Sequence, residues 1–212
     1  MKVFIIETSS PFDVSEERSE SKALTEICKM MDHEVAMFFA KSKREFEEIC
    51  NYISSIEYVV ERKDEEPICI HLSSHGNEKG ILFGRDNLSW KEVSQVLTPI
   101  FTMDYEEDIF LVVSSCGTDR INLHSHMKNI VEEDYSPPKY IFSVNEEETE
   151  WRDAALIWTI LYHQIDSLDS DEKLQVQGLL NRISGAGLGK LKYHRWDEDR
   201  NKYLQHSGKI TV

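Results

Sequence analysis

Apolar positions along this chain alternate between two periods, and the changes divide it into strands and helices. Val3–Ile6 is a short apolar, mostly β-branched run closed by Thr-Ser-Ser-Pro, which predicts a first strand. Ser15 then offers a helix cap with Glu16 and Glu17 in the first turn, and Ala23, Leu24, Ile27, Met30 and Met31 repeat at helical spacing. Val35–Phe39 predicts the second strand. Ser42 caps a helix whose buried stripe is Phe46, Ile49, Cys50, Ile53 and Ile56, and the charged stretch Arg62–Glu66 ends at Pro67. Ile68–Ser73 is apolar on both parities, as expected of a strand covered on both faces.

The second half continues the alternation. Asn77–Gly80 is turn-rich, and Ile81–Phe83 with Gly84–Asn87 predicts a small hairpin beside the main sheet. A helix opens at Leu88 or Ser89, buries Trp90, Val93, Val96 and Leu97, and stops near Pro99. After the acidic run Asp104–Asp108, Ile109–Val113 reads as a fourth strand; a helix follows around Leu123–Glu132. Pro137–Pro138 breaks the chain before a fifth strand, Tyr140–Val144. Trp151, Ala154, Ala155, Trp158, Leu161, Tyr162 and Ile165 mark one face of a long helix, and a second spans Asp171–Ile183. The tail, Leu191–Trp196 and Tyr203–Val212, supplies one or two final strands. Strands alternating with helices imply an α/β fold with a mostly parallel sheet, helices on both faces and right-handed crossovers. With no internal repeat or linker, residues 1–212 read as one domain.

Charge narrows the partners. A net charge of −15 argues against a phosphate-backbone ligand, whose binding rests on Lys and Arg, so no nucleic acid is expected. Such a surface favours a basic or neutral peptide, or simply solubility. The four cysteines are scattered without a CxxC spacing, which fits neither a zinc site nor a disulfide framework, and no cofactor motif is read. The apolar run at the N-terminus is too short for a signal peptide, and no later run reaches membrane-spanning length. The expectation is a cytoplasmic protein with reduced thiols and no membrane partner.

The candidate chemistry lies at two matched strand ends. ICIHLSSHG (68–76) and IFLVVSSCGT (109–118) each end in Ser-Ser, one reactive side chain and a glycine: His75–Gly76 in the first, Cys116–Gly117 in the second. If the two strands are neighbours, their ends lie about 5 Å apart at the carboxyl edge of the sheet, where open α/β sheets carry their active groups. A thiol beside an imidazole suits nucleophilic catalysis, because the imidazole can take and return the proton. The N–H groups of Gly76 and Cys116 are candidates for an oxyanion hole. Taken singly, a cysteine after a strand is usually a small buried hydrophobe, and a loop histidine usually has no chemical role. The paired placement favours the catalytic reading.

HLSSHG with KGI after it, and VVSSCGT later, resembles the His-Gly and Cys motifs of caspase-fold (clan CD) cysteine peptidases, most nearly the bacterial CHAT caspase-like domains. The segment VNEEETEWRDAALIWTILYHQI (144–165) adds to the resemblance, which covers about residues 1–165. It implies a three-layer αβα sandwich around a mostly parallel six-stranded sheet. It further implies a cysteine endopeptidase with Cys116 as nucleophile, His75 as general base, and Gly76 with Cys116 as oxyanion hole. Protein or peptide would be the substrate, and a regulatory protein partner or ligand would control it. No third catalytic residue is required, and none is evident in the sequence. Ser114 stands two before the cysteine, where members that cleave after Arg or Lys often carry an acid, so a basic P1 preference gains no support there. Arg18 sits roughly where caspases place an arginine of their acidic-P1 pocket, though with shorter spacing to the next helix; a plain surface residue is the competing reading. Trp151 is a candidate pocket wall. The alternative is a catalytically silent caspase-fold protein acting as a regulatory protein-binding module, and a nucleotide-binding doubly wound domain is a weaker third.

Other signals carry less. GAGLGK (185–190) follows a helix rather than a strand and lacks the phosphate-loop spacing. His124 and His126 lack a third ligand and read as surface histidines; His71 reads as a satisfied core histidine. Cys28, Cys50 and Cys69 fall on apolar faces and read as packing, and Glu146–Glu148 as a solvated loop.

Overall fold

The computed structural model describes residues 1–55, 66–116, 123–130, 137–144, 150–165, 173–188 and 191–208. Ile56, most of the 62–66 loop, Gly117, the end of the 123–132 helix, Glu146–Glu148 and the last residues of the tail lie outside them.

A seven-stranded sheet runs in the order β10-β9-β8-β7-β3-β1-β2. The strands are β1 (Lys2–Glu7), β2 (Glu34–Phe39), β3 (Ile68–Ser73), β7 (Ile109–Ser114), β8 (Tyr140–Val144), β9 (Leu191–Asp197) and β10 (Lys202–Ser207). The first five are mutually parallel, while β9 runs antiparallel to β8 and β10 antiparallel to β9. Among the described residues the sheet has seven strands rather than six, because both halves of the tail pair. A small second sheet, β4 (Gly76–Asn77), β5 (Gly80–Phe83) and β6 (Asp86–Ser89), contains the expected hairpin plus a short strand at Gly76.

Helices cover both faces, giving three layers. On one side α3 (Lys43–Ser54), α4 (Trp90–Phe101) and α5 (Leu123–Ile130) pack Phe46, Cys50, Val93, Leu97 and Met127 against Ile6, Ile70 and Leu111. On the other, α2 (Glu20–Met30), α6 (Trp151–Ile165) and α7 (Lys173–Gly185) pack Leu24, Cys28, Trp158, Leu161 and Leu179 against Ile5, Cys69 and Val112. β3 is buried at all six positions, as its unbroken apolar run requires. Among the described residues no helix is long and apolar enough to cross a membrane.

Three local departures have physical causes. Ser15 does not cap the first long helix; it ends a separate short helix, α1 (Pro11–Ser15), capped by Ser10. The chain then turns through Glu17 in the left-handed region at φ 56°, and Ser19 caps α2. Met30 is consequently exposed, and the buried stripe runs Ser21, Leu24, Thr25, Cys28. Finally, α4 continues through Pro99 to Phe101. A proline in a last turn removes one hydrogen bond, and burial of Ile100 and Phe101 offsets it.

Candidate active site

Strand register brings the two reactive ends together. β3 and β7 pair in parallel with Ser73 opposite Ser114, and β1 and β3 pair with Glu7 opposite Ser73. Pairing continues one step further, where the Ser74 N–H donates to the Ser114 carbonyl at 3.1 Å. His75 and Cys116 therefore each stand two residues beyond a matched pair, at the carboxyl edge of the sheet. The matching Ser-Ser spacers in the sequence carried this equivalence.

Both side chains line one cleft of roughly 250 Å³, together with Glu7 at the end of β1, Thr8 and Ser9 just after it, Asp13 of α1, Arg18 beyond it, Glu20, Ser73, Ser115, and Val144, Trp151 and Ala154 from β8 and α6. Arg18 and Trp151 thus share the cleft with His75 and Cys116. Arg18 also pairs with Glu16 at 2.6 Å on the exposed side, and Trp151 opens α6 with its ring partly in solvent. Gly76 is absent from the lining, yet it lies directly behind it: a Cβ there would overlap Ser115 Oγ and stand 2.8 Å from the Gly80 carbonyl oxygen. Glycine is needed for this close approach rather than for a left-handed turn, since Gly76 has no positive φ.

The His75 backbone is held by the small sheet. Its carbonyl accepts from the Leu82 N–H at 2.9 Å, and the Ser74 hydroxyl donates to the Leu82 carbonyl at 2.6 Å. Its Nε2 lies 2.8 Å from Asp13 Oδ2. Asp13 was not singled out from the sequence. Its signal was present nonetheless: Ser-Pro-Phe-Asp (10–13) is a helix start with an acid three residues after its cap.

Beneath the cleft lies a buried polar network. Glu7 accepts from the Ser9 hydroxyl (2.7 Å), the Ser19 hydroxyl (2.9 Å) and the Ser21 N–H (2.7 Å). Glu20 Oε1 meets His71 Nε2 at 2.7 Å, and its Oε2 accepts from the Ser114 hydroxyl at 2.9 Å. Ser114 in turn accepts from Trp158 Nε1 at 2.8 Å, and His71 Nδ1 meets the Tyr162 hydroxyl at 2.7 Å. His71 is thus the satisfied core histidine expected. Burial pushes the Tyr162 hydroxyl well above its ordinary pKa, so it stays protonated. Glu7 and Glu20 were not recognised in the sequence, because nothing local distinguishes a buried glutamate from a surface one.

Cys116 is half-buried, whereas Cys28, Cys50 and Cys69 are sealed in the two cores. Burial raises the Cys50 thiol strongly and the Cys69 thiol to about 12, leaving both inert as nucleophiles. Among the described residues no group of three or more His, Cys, Asp or Glu side chains is placed to hold a metal ion. His124, read as a surface histidine, instead stacks on His194 with ring centroids 4.1 Å apart.

No protein-family model matches the sequence, and no curated protein matches it. Among solved structures, the crystal structure of drICE, a caspase, superposes with a TM-score of 0.55 over 97% of this chain and 86% of that one, at 14% identity. The fold is caspase-like. At that identity the likeness establishes architecture and carries no residue roles.

Proposed function

We propose that this chain is a cysteine endopeptidase acting on protein or peptide substrates through a Cys116–His75 dyad, under control of a partner or ligand. What carries the reading is the shared cleft: an accessible thiol and an imidazole follow aligned ends of two neighbouring parallel strands. In the mechanism, His75 takes the Cys116 proton and the sulfur attacks the scissile carbonyl. The oxyanion is held by the N–H groups of Cys116 and Gly76. Collapse breaks the C–N bond as the imidazolium returns its proton to the leaving amine. Water, deprotonated by His75, then hydrolyses the thioester. Trp151 and Arg18 are the proposed substrate contacts at the cleft wall.

A peptidyl acyloxymethyl ketone tests this directly. Cys116 is expected to be labelled and identified by mass spectrometry, with labelling lowered about 100-fold or more in His75→Ala. Cleavage of a peptide library should cease in Cys116→Ala. Uniform labelling of all four cysteines, unchanged in His75→Ala, would overturn the reading and leave a protein-binding role on the same fold.

A further inference from the structure

The hydrogen bond between His75 and Asp13 has a chemical consequence for the proposed dyad. An ionised carboxylate only accepts, so at 2.8 Å the shared proton belongs on His75 Nε2. A single-protonated imidazole bound in this way carries its lone pair on Nδ1. We infer that Asp13 is the positioning residue of a Cys–His–Asp arrangement, holding His75 in the tautomer whose Nδ1 accepts the Cys116 proton; this rests on the peptidase reading above.

Asp13 is itself built into place. Its carboxylate accepts from the Ser10 N–H at 2.8 Å and the Ser10 hydroxyl at 2.6 Å, while the Asp13 N–H donates back to Ser10 Oγ at 3.2 Å. This reciprocal cap fixes a helix of one turn with no buried residue, so the Ser10–Asp13 lock does the work that packing does elsewhere. Pro11 at the first helical position adds stiffness. Partial burial acts to raise the Asp13 carboxyl, but hydrogen bonds from the Ser10 hydroxyl, His75 and the Ser10 N–H outweigh it and hold it below the usual carboxylate range. Among the described residues, the other charged or titratable groups lining the cleft are Glu7, Glu20, Arg18 and Cys116. Glu7 and Glu20 are committed to Ser9, Ser19, Ser21, His71 and Ser114, so among the described cleft carboxylates Asp13 is the one on His75.

During turnover Asp13 takes no proton. Nδ1 receives the proton from sulfur, Nε2 keeps its own, and the carboxylate faces the resulting imidazolium until Nδ1 gives its proton to the leaving amine. An amide at position 13 can instead donate to Nε2, which puts the proton on Nδ1 and removes the base.

The test combines kinetics with a spectroscopic readout on the full chain. With peptidyl acyloxymethyl ketones carrying acidic, neutral and basic P1 residues, Asp13→Asn is expected to lower the maximal inactivation rate of Cys116 about 10- to 100-fold, with the half-saturating concentration within about threefold. Asp13→Glu is expected to restore part of the rate. Imidazole ¹⁵N shifts of the wild type should show His75 protonated at Nε2, and Asp13→Asn should move the population toward Nδ1–H. Wild-type His75 found as the Nδ1–H tautomer would overturn the inference without recourse to any variant. So would an unchanged or faster rate in folded Asp13→Asn, in which case the peptidase reading stands without Asp13. A wild-type Cys116 that no probe labels removes the peptidase reading itself, and this role with it.

Discussion

At Gly76 a single methyl group decides the geometry behind the cleft. A Cβ added there meets two atoms of different character. The Ser115 hydroxyl can rotate away, but the Gly80 carbonyl oxygen, 2.8 Å distant, belongs to the paired backbone of β5 and cannot move alone. Gly76→Ala is therefore expected to push β4 away from β5, at a cost of about 1–3 kcal/mol typical of overpacking. Urea unfolding reads the stability loss, and Cys116 labelling should fall further than the stability change explains. A full-rate, fully stable variant would mean that the small sheet is free to slide. At this scale the placement of His75 and Cys116 at one cleft was legible because each follows a conspicuous apolar run. Asp13, Glu7 and Glu20 were not, since their meaning comes from partners far along the chain. His75 lies 62 positions from Asp13, and Ser114 lies 94 from Glu20. A one-dimensional pattern records neither distance.

The elements show where local chemistry suffices. α3 starts at the predicted Ser42, and α4 at Ser89, one of the two starts expected, because each is followed three residues later by Glu45 or Glu92. At α4 the exchange is complete: Ser89 Oγ accepts from the Glu92 N–H at 3.3 Å, and the Glu92 carboxylate accepts from the Ser89 N–H at 2.9 Å. Ser89→Ala is expected to cost about 1 kcal/mol, measured as a shift in urea midpoint at constant slope. No shift would mean that packing of Trp90 and Val93 alone fixes the helix start. The α1–α2 boundary was misread because three serines, at positions 10, 15 and 19, compete as caps within ten residues. Choosing among them depends on Asp13 bonding Ser10 and on Ser19 reaching Glu7, the second of which is a tertiary contact. The two tail strands, by contrast, were legible as segments; whether both pair is a property of the sheet they join.

Across the molecule, the sheet separates two apolar cores, and the tail strands bring histidine into one of them. His194 on β9 is 4% exposed and stacks on His124 of α5. Burial lowers its pKa to about 3; the neighbouring His124, Lys192 and His206 act in the same direction, and a hydrogen bond donated to the Gln205 side chain opposes them. An unfolded histidine titrates near 6.5, so below that pH the unfolded chain binds a proton that the folded chain refuses. Folding stability is therefore expected to be full above pH 6.5 and to fall by about 1.4 kcal/mol per pH unit from there toward pH 3 through this group alone. Protonating carboxylates act over part of the same range, so the comparison must be differential. His194→Asn keeps a polar side chain and abolishes the titration. It should be less stable than wild type at pH 7.5, yet the gap should close by about 2–3 kcal/mol by pH 4.5 in urea unfolding. Parallel stability curves for the two proteins would show that His194 accepts its proton inside the fold. In that case the α5–β9 contact would open to solvent under mild acid, and α5, the next described element after Cys116, would loosen with it.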